Sequence, residues 1–110
     1  MQEKREAVYA DELKWEKVQD KVYEKILWKD EKSGTYARLI RVDAGFRGEK
    51  PLSHEFDELV YVLQGQVENI QNGKIWHQGM FCFFPAGVEH GPLTTEEGCL
   101  SIEFRYMTHH

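Results

Sequence analysis

Cysteine, basic charge and long apolar runs are all scarce in this chain, and each scarcity closes off a class of protein. Two cysteines, Cys82 and Cys99, among 110 residues cannot build a disulfide framework, and no C-x-x-C or similar spacing offers a zinc ribbon. Both lie in apolar stretches, which reads as two small buried thiols. Basic residues number 14 against 19 acidic ones, a formal net charge of −5, and the basic ones are scattered. Nucleic acid is therefore excluded as the expected partner. No apolar run approaches the roughly 18 residues that span a bilayer, so no membrane span is expected either. The opening Met-Gln-Glu-Lys-Arg-Glu carries charge with no apolar core behind it, so no secretory leader is expected. A cytoplasmic location follows by default. Internal repeats and low-complexity segments are missing as well.

What is present suits one globular domain. Hydrophobic residues make up 41% and charged residues 30%, and a chain of this length buries about 65% of its unfolded surface. The expected division is a flexible N-terminus over 1–7, a single domain over 8–106 and a tail over 107–110. His109 and His110 are either native or the remnant of a purification tag, and they enter no site.

The pattern is β almost throughout. Trp15, Val18 and Val22 have a spacing that suits a short helix. Residues 22–28 and 36–42, however, are rich in β-branched and aromatic side chains and read as strands. Asp30 to Gly34 and Ala44 to Pro51 carry turn residues and read as loops. Further strands are expected over 58–63, 66–71, 74–76, 80–84 and 99–105, with Gly65 and Gly79 in turns. Asn72-Gly73 signals a hairpin of type I′, whose two central residues both need positive φ. Seven or eight short strands at regular spacing predict an all-β sandwich or barrel.

Two stretches carry chemistry. His54-x3-Glu58-x6-Gly65 and Gly79-x5-Pro85-x-Gly87-x2-His90 place two imidazoles and a carboxylate on turns and strand starts able to converge in a small barrel. That set suits a divalent metal, since iron, manganese, nickel and zinc all accept imidazole and carboxylate donors. If Glu58 faces inward, alternation sends Val60 and Val62 inward too. Leu59, Tyr61 and Leu63 then form an outer face too apolar to stay bare, which implies sheet packing or a homodimer interface. Leu52 and Phe56 join Val60 and Val62 as candidate pocket-lining residues, while Phe46 and Tyr61 are left open. Phe81, Phe83 and Phe84 are expected in the core or at an interface, and His77 on the surface. On the last strand Ser101, Glu103 and Arg105 share one face. A Glu-x-Arg pair there is either a solvated or interstrand ion pair, or a polar handle for a ligand.

These two stretches resemble the paired motifs of the cupin superfamily, in their order and in the intervening hairpin, over roughly residues 35–105. The resemblance implies a jelly-roll barrel (a double-stranded β-helix) of the small single-domain RmlC-like kind, with N-terminal edge strands. It also implies that His54, Glu58 and His90 are metal ligands. The sequence departs from the motif at Leu52, where the first ligand histidine belongs, and at Thr94, where asparagine is common. The run from Glu58 to Gly65 and the ending after His90 resemble the cupins grouped with carbon–carbon-cleaving dioxygenases. A metal-dependent dioxygenase acting on a small polar organic molecule is therefore one expectation. The alternatives are a metal-free ligand-binding or sensor module, and a sugar isomerase or epimerase in which His90 is the base. A homodimer is expected in each case, with the segment from Tyr9 to Val22 available to a neighbour's edge strand.

Overall fold

The computed structural model describes residues 7–106. The expectations for residues 1–6, for the tail 107–110 and for the terminal histidines lie outside the described residues. Eight strands follow one 3-10 turn, Ala10–Glu12, in chain order. They are β1 (Glu16–Gln19), β2 (Val22–Lys29), β3 (Tyr36–Val42), β4 (Asp57–Asn69), β5 (Ile75–His77), β6 (Phe81–Phe84), β7 (Leu93–Thr94) and β8 (Cys99–Tyr106). The helical spacing of Trp15, Val18 and Val22 falls instead on a β1–β2 hairpin. β1 keeps all four residues exposed at the sheet edge and pairs with its own β2.

All pairings are antiparallel, in the order β1-β2-β3-β8-β4-β5, with β6 and β7 also on β4. β4 is the hub. Its first half lies between β8 and β6, and its last residues pair with β5 and β7. One strand serving two sheets is what closes a jelly roll.

Gly65 makes that possible. The sequence reading ended one strand before Gly65 and began another after it, but β4 runs straight through. Gly65 bends it at φ +77, and a Cβ there would run into the Gly98 carbonyl oxygen. Only glycine fits both demands.

The Asn72-Gly73 hairpin is present but is not type I′. Of the two, only Gly73 has positive φ, at +74. The loop spans residues 70–73, closed by the Asn69 N–H to the Lys74 carbonyl and the Gly73 N–H to the Asn69 carbonyl, both 2.8 Å. Two extra loop residues relieve Asn72 of the left-handed conformation that a two-residue turn demands.

Alternation along β4 runs as expected, with Glu58, Val60 and Val62 buried and Tyr61 outside. Cys82 and Cys99 are buried free thiols. The outer face is covered only in part. Trp15 lies against Lys25 and Arg41 at 4.7 and 4.9 Å, and Lys25 Nζ donates to the Ala10 carbonyl at 2.9 Å. Beyond that cover, Trp28, Tyr61, Phe81, Phe83 and Phe104 remain 43–62% exposed. Phe81 and Phe83 are thus outside the core, because alternation along β6 turns only Cys82 and Phe84 inward. His77 is exposed, as its position after the hairpin suggested.

Candidate metal centre

Backbone pairing brings the two motif segments together. Leu52 and His90 form an isolated bridge, with N–H to carbonyl distances of 2.7 and 2.9 Å. The Gly87 N–H donates to the His54 carbonyl at 2.8 Å, and the Ala86 N–H to the Asp57 carboxylate at 2.8 Å. The loop ahead of β4 and the loop after β6 are therefore stitched side by side. His54, Glu58 and His90 converge where they meet, with one potential ligand atom from each within 4.8 Å of the others.

The donor atoms are poised. His54 Nδ1 lies 3.0 Å from the Phe56 carbonyl, which can only accept, so Nδ1 carries the proton and Nε2 presents a bare lone pair. That Nε2 is 3.7 Å from Glu58 Oε1. Both His54 Nε2 and His90 Nδ1 are buried without a hydrogen-bond partner. Buried polar atoms are normally satisfied, and two orphaned imidazole nitrogens beside a carboxylate are the donor set a divalent ion would complete. His54 stacks on Phe56 at 4.1 Å and His90 on Phe84 at 4.2 Å, which braces both rings. Burial holds both imidazoles below their ordinary pKa, and in His90 the neighbouring His54 adds to it. They stay neutral near pH 7, as ligands must.

Beside the triad runs a ladder of ion pairs set by strand register. Arg105 stands opposite Glu58 across β8 and β4, and Arg38 opposite Glu103 across β3 and β8. Arg105 Nε donates to Glu58 Oε2 and Nη1 donates to the Tyr36 hydroxyl at 2.9 Å. Arg38 Nε donates to Glu103 Oε1 at 2.9 Å and Nη1 to Glu24 at 2.6 Å. Burial, then the charge of Glu58, pushes Glu103 up to about 6. Burial opposes the charge on Arg38, but Glu103 and Glu24 outweigh it and hold the guanidinium charged. The Glu-x-Arg pair on β8 is thus an interstrand ion-pair element turned inward, not a solvated face.

The triad, with Arg38, Glu103 and Arg105 of the ladder, lines a cavity of about 310 Å³ inside the barrel. Leu52, Val60, Val62 and Phe46 also line it. Phe56 does not, because its ring lies flat on His54 with Arg105 over it at 4.7 Å. Tyr61 is on the outer face. Leu52, 47% exposed, presents an isobutyl group at the cavity rim beside His90. Sequence reasoning missed Arg38, Tyr36 and Glu24. The signal for the first was alternation along β3, which groups Arg38 with the inward Ile40 and Val42.

Comparison with known proteins agrees with this architecture. A family model described as the ChrR cupin-like domain matches residues 3–107, so the chain belongs to that family. No functionally curated protein matches it significantly. Among solved structures, an RmlC-like cupin from Shewanella frigidimarina superposes with a TM-score of 0.79 at 21% identity, covering 96% of this chain and 94% of that one. KdgF from Halomonas sp. gives 0.74 at 25% identity, with 92% of each chain covered. The anti-sigma ChrR, solved in complex with SigE of Rhodobacter sphaeroides, gives 0.71 at 20% identity, covering 88% of this chain and 51% of that chain. The barrel is a cupin jelly roll. Among the described residues, no helix is long and apolar enough to cross a membrane.

Proposed function

We propose that this cupin binds one divalent metal ion through His54, Glu58 and His90 and uses it to act on a small polar organic molecule held in the lumen. The observation that carries the reading is the pair of buried, partnerless nitrogens, His54 Nε2 and His90 Nδ1, facing a carboxylate. A bound ion of this donor set polarises an oxygen-bearing substrate and, when it is iron, also supplies oxygen chemistry. The chain's own groups prepare the site. The Phe56 carbonyl fixes the His54 tautomer, and Arg105 holds Glu58 Oε2 so that Oε1 is the oxygen offered to the ion. Leu52 keeps the protein donors at three, leaving positions for oxygen and substrate and favouring the dioxygenase class.

Metal analysis of untagged protein, compared with Glu58→Ala, tests this. One iron, manganese, zinc or nickel per chain, lost on substitution while the barrel stays folded, is the expected result. A folded wild-type protein with no bound metal removes the reading and leaves a metal-free ligand-binding module. Family membership favours one variant of that second reading, in which the barrel reports its ligand to a partner protein.

The outer face supports a homodimer. Five half-exposed aromatic side chains leave on the order of 500 Å² of apolar surface. Register sets Trp28, Phe104, Leu59 and Phe83 in one row and Ile102, Tyr61 and Phe81 in the next. With its flanks this approaches the roughly 800 Å² per partner of a stable interface. An apolar sheet face suits an identical one across a twofold axis. Gel filtration at the 13.0 kDa monomer mass across working concentrations would overturn it.

A further inference from the structure

We propose that the metal-loaded lumen is built for a small organic monoanion, a carboxylate with an apolar body. This rests on the metal-binding reading above and deepens it. Among the described residues the cavity wall carries four charged side chains, Arg38, Arg105, Glu58 and Glu103. They cancel in register as two pairs, Arg105 with Glu58 and Arg38 with Glu103. Glu24, 2.6 Å from Arg38 at the outer end of the ladder, adds one more negative charge. Two arginines against three glutamates leave −1.

A divalent ion at the triad changes that sum to +1. The triad brings only one formal negative charge, on Glu58, and Arg105 already opposes it; the two imidazoles are neutral donors. An uncompensated charge among side chains as buried as Arg38, Glu58 and Glu103 is costly. One negative charge on the ligand restores neutrality where a neutral molecule does not. The shape of the cavity selects the rest of the ligand. Val60, Val62, Val67, Trp76 and Phe84 form apolar wall around the charged ladder, which suits a hydrocarbon body over a hydrated inorganic ion. A volume of about 310 Å³ admits a molecule of benzoate size.

The test uses untagged protein loaded with Co²⁺ and titrated with benzoate and with benzamide, its neutral analogue. Calorimetry and the cobalt visible spectrum are the readouts. Benzoate should bind at least tenfold more tightly than benzamide, and only when Co²⁺ is present. Glu24→Gln and Glu103→Gln each remove one negative charge while keeping a hydrogen-bonding amide, and each should tighten benzoate binding about tenfold. Failure to bind Co²⁺ overturns the metal-binding reading and this inference together. Bound Co²⁺ with equal affinities for benzoate and benzamide overturns the ligand class alone, as does equal benzoate binding without metal. Unchanged benzoate affinity in both charge variants has the same consequence.

Discussion

The two faces of the β3-β8-β4 sheet depart from the usual arrangement of a small β-protein, with charged pairs set among apolar side chains inside and aromatics outside. The inner face carries Arg38, Glu103, Arg105 and Glu58, with Arg38, Glu58 and Glu103 buried at 3–9% exposure. The outer face carries Leu59, Tyr61, Ile102 and Phe104, continued by Phe81 and Phe83, and much of it is open. An antiparallel sheet chosen for stability alone would be apolar inside and polar outside. Charges on the inside are worth their desolvation only where something in the lumen needs them, and aromatics outside only where something covers them. On the reading proposed above, the inner face serves the site and the outer face a homodimer.

The comparison breaks most readily at the ladder. Arg38→Met strands Glu103 and Glu24 and should cost about 3–5 kcal/mol in urea unfolding, as removal of one partner of a buried pair does. Arg38→Met combined with Glu103→Met should cost much less than the single change. A double variant as damaged as the single one would mean that the ladder itself stabilises the barrel.

A change at the rim should be smaller. Leu52→His adds a third imidazole, and so a fourth protein donor, beside His90 and should tighten metal binding about tenfold, roughly 1.4 kcal/mol, as read by competition with a chelator. Unchanged affinity would mean that position 52 does not point at the triad.

Acidification probes the inner face without mutation. Burial lowers His54 and His90 from the usual imidazole value of 6.5, so the unfolded chain takes up these protons first. Their contribution to the metal-stripped barrel is complete above pH 6.5 and is lost as pH falls through the lower folded values. Glu103, raised from 4.5 to about 6, has the opposite slope, with its contribution present below 4.5 and lost as pH rises through 6. Thermal unfolding of metal-stripped protein should show Tm falling from pH 7.5 towards 6, then falling less steeply as Glu103 takes up its proton. A Tm that rises steadily on acidification would contradict the orphaned, neutral imidazoles.

The outer face should respond least in monomer stability. Phe81→Ser and Phe83→Ser should each change unfolding at high dilution by about 0.5 kcal/mol or less, while abolishing dimerisation in sedimentation equilibrium. A large loss of stability in a chain that stays monomeric would show that this face packs within one chain.

Much of this was legible in the chain. His54, Glu58 and His90 stood out because loop and strand-start positions carried ligand chemistry beside the glycines and proline that shape the turns. The inward run of Glu58, Val60 and Val62 followed from strict alternation. The ladder was not legible, because Arg38 and Glu103 are 65 residues apart and nothing local to either names the other. Gly65 read as a turn because a left-handed glycine marks a strand end and a mid-strand bend equally well. Phe56 was a candidate for pocket lining that nothing in the local spacing could decide, and its ring was taken up by His54.

By itself the sequence determined the strand periodicity and the identity of the donors, since these depend on residues a few positions apart. Tertiary structure decided which strands lie side by side and in what register. That register alone set Arg105 against Glu58 and Arg38 against Glu103. Register comes from closing the whole barrel around its buried valines, a condition no single segment contains.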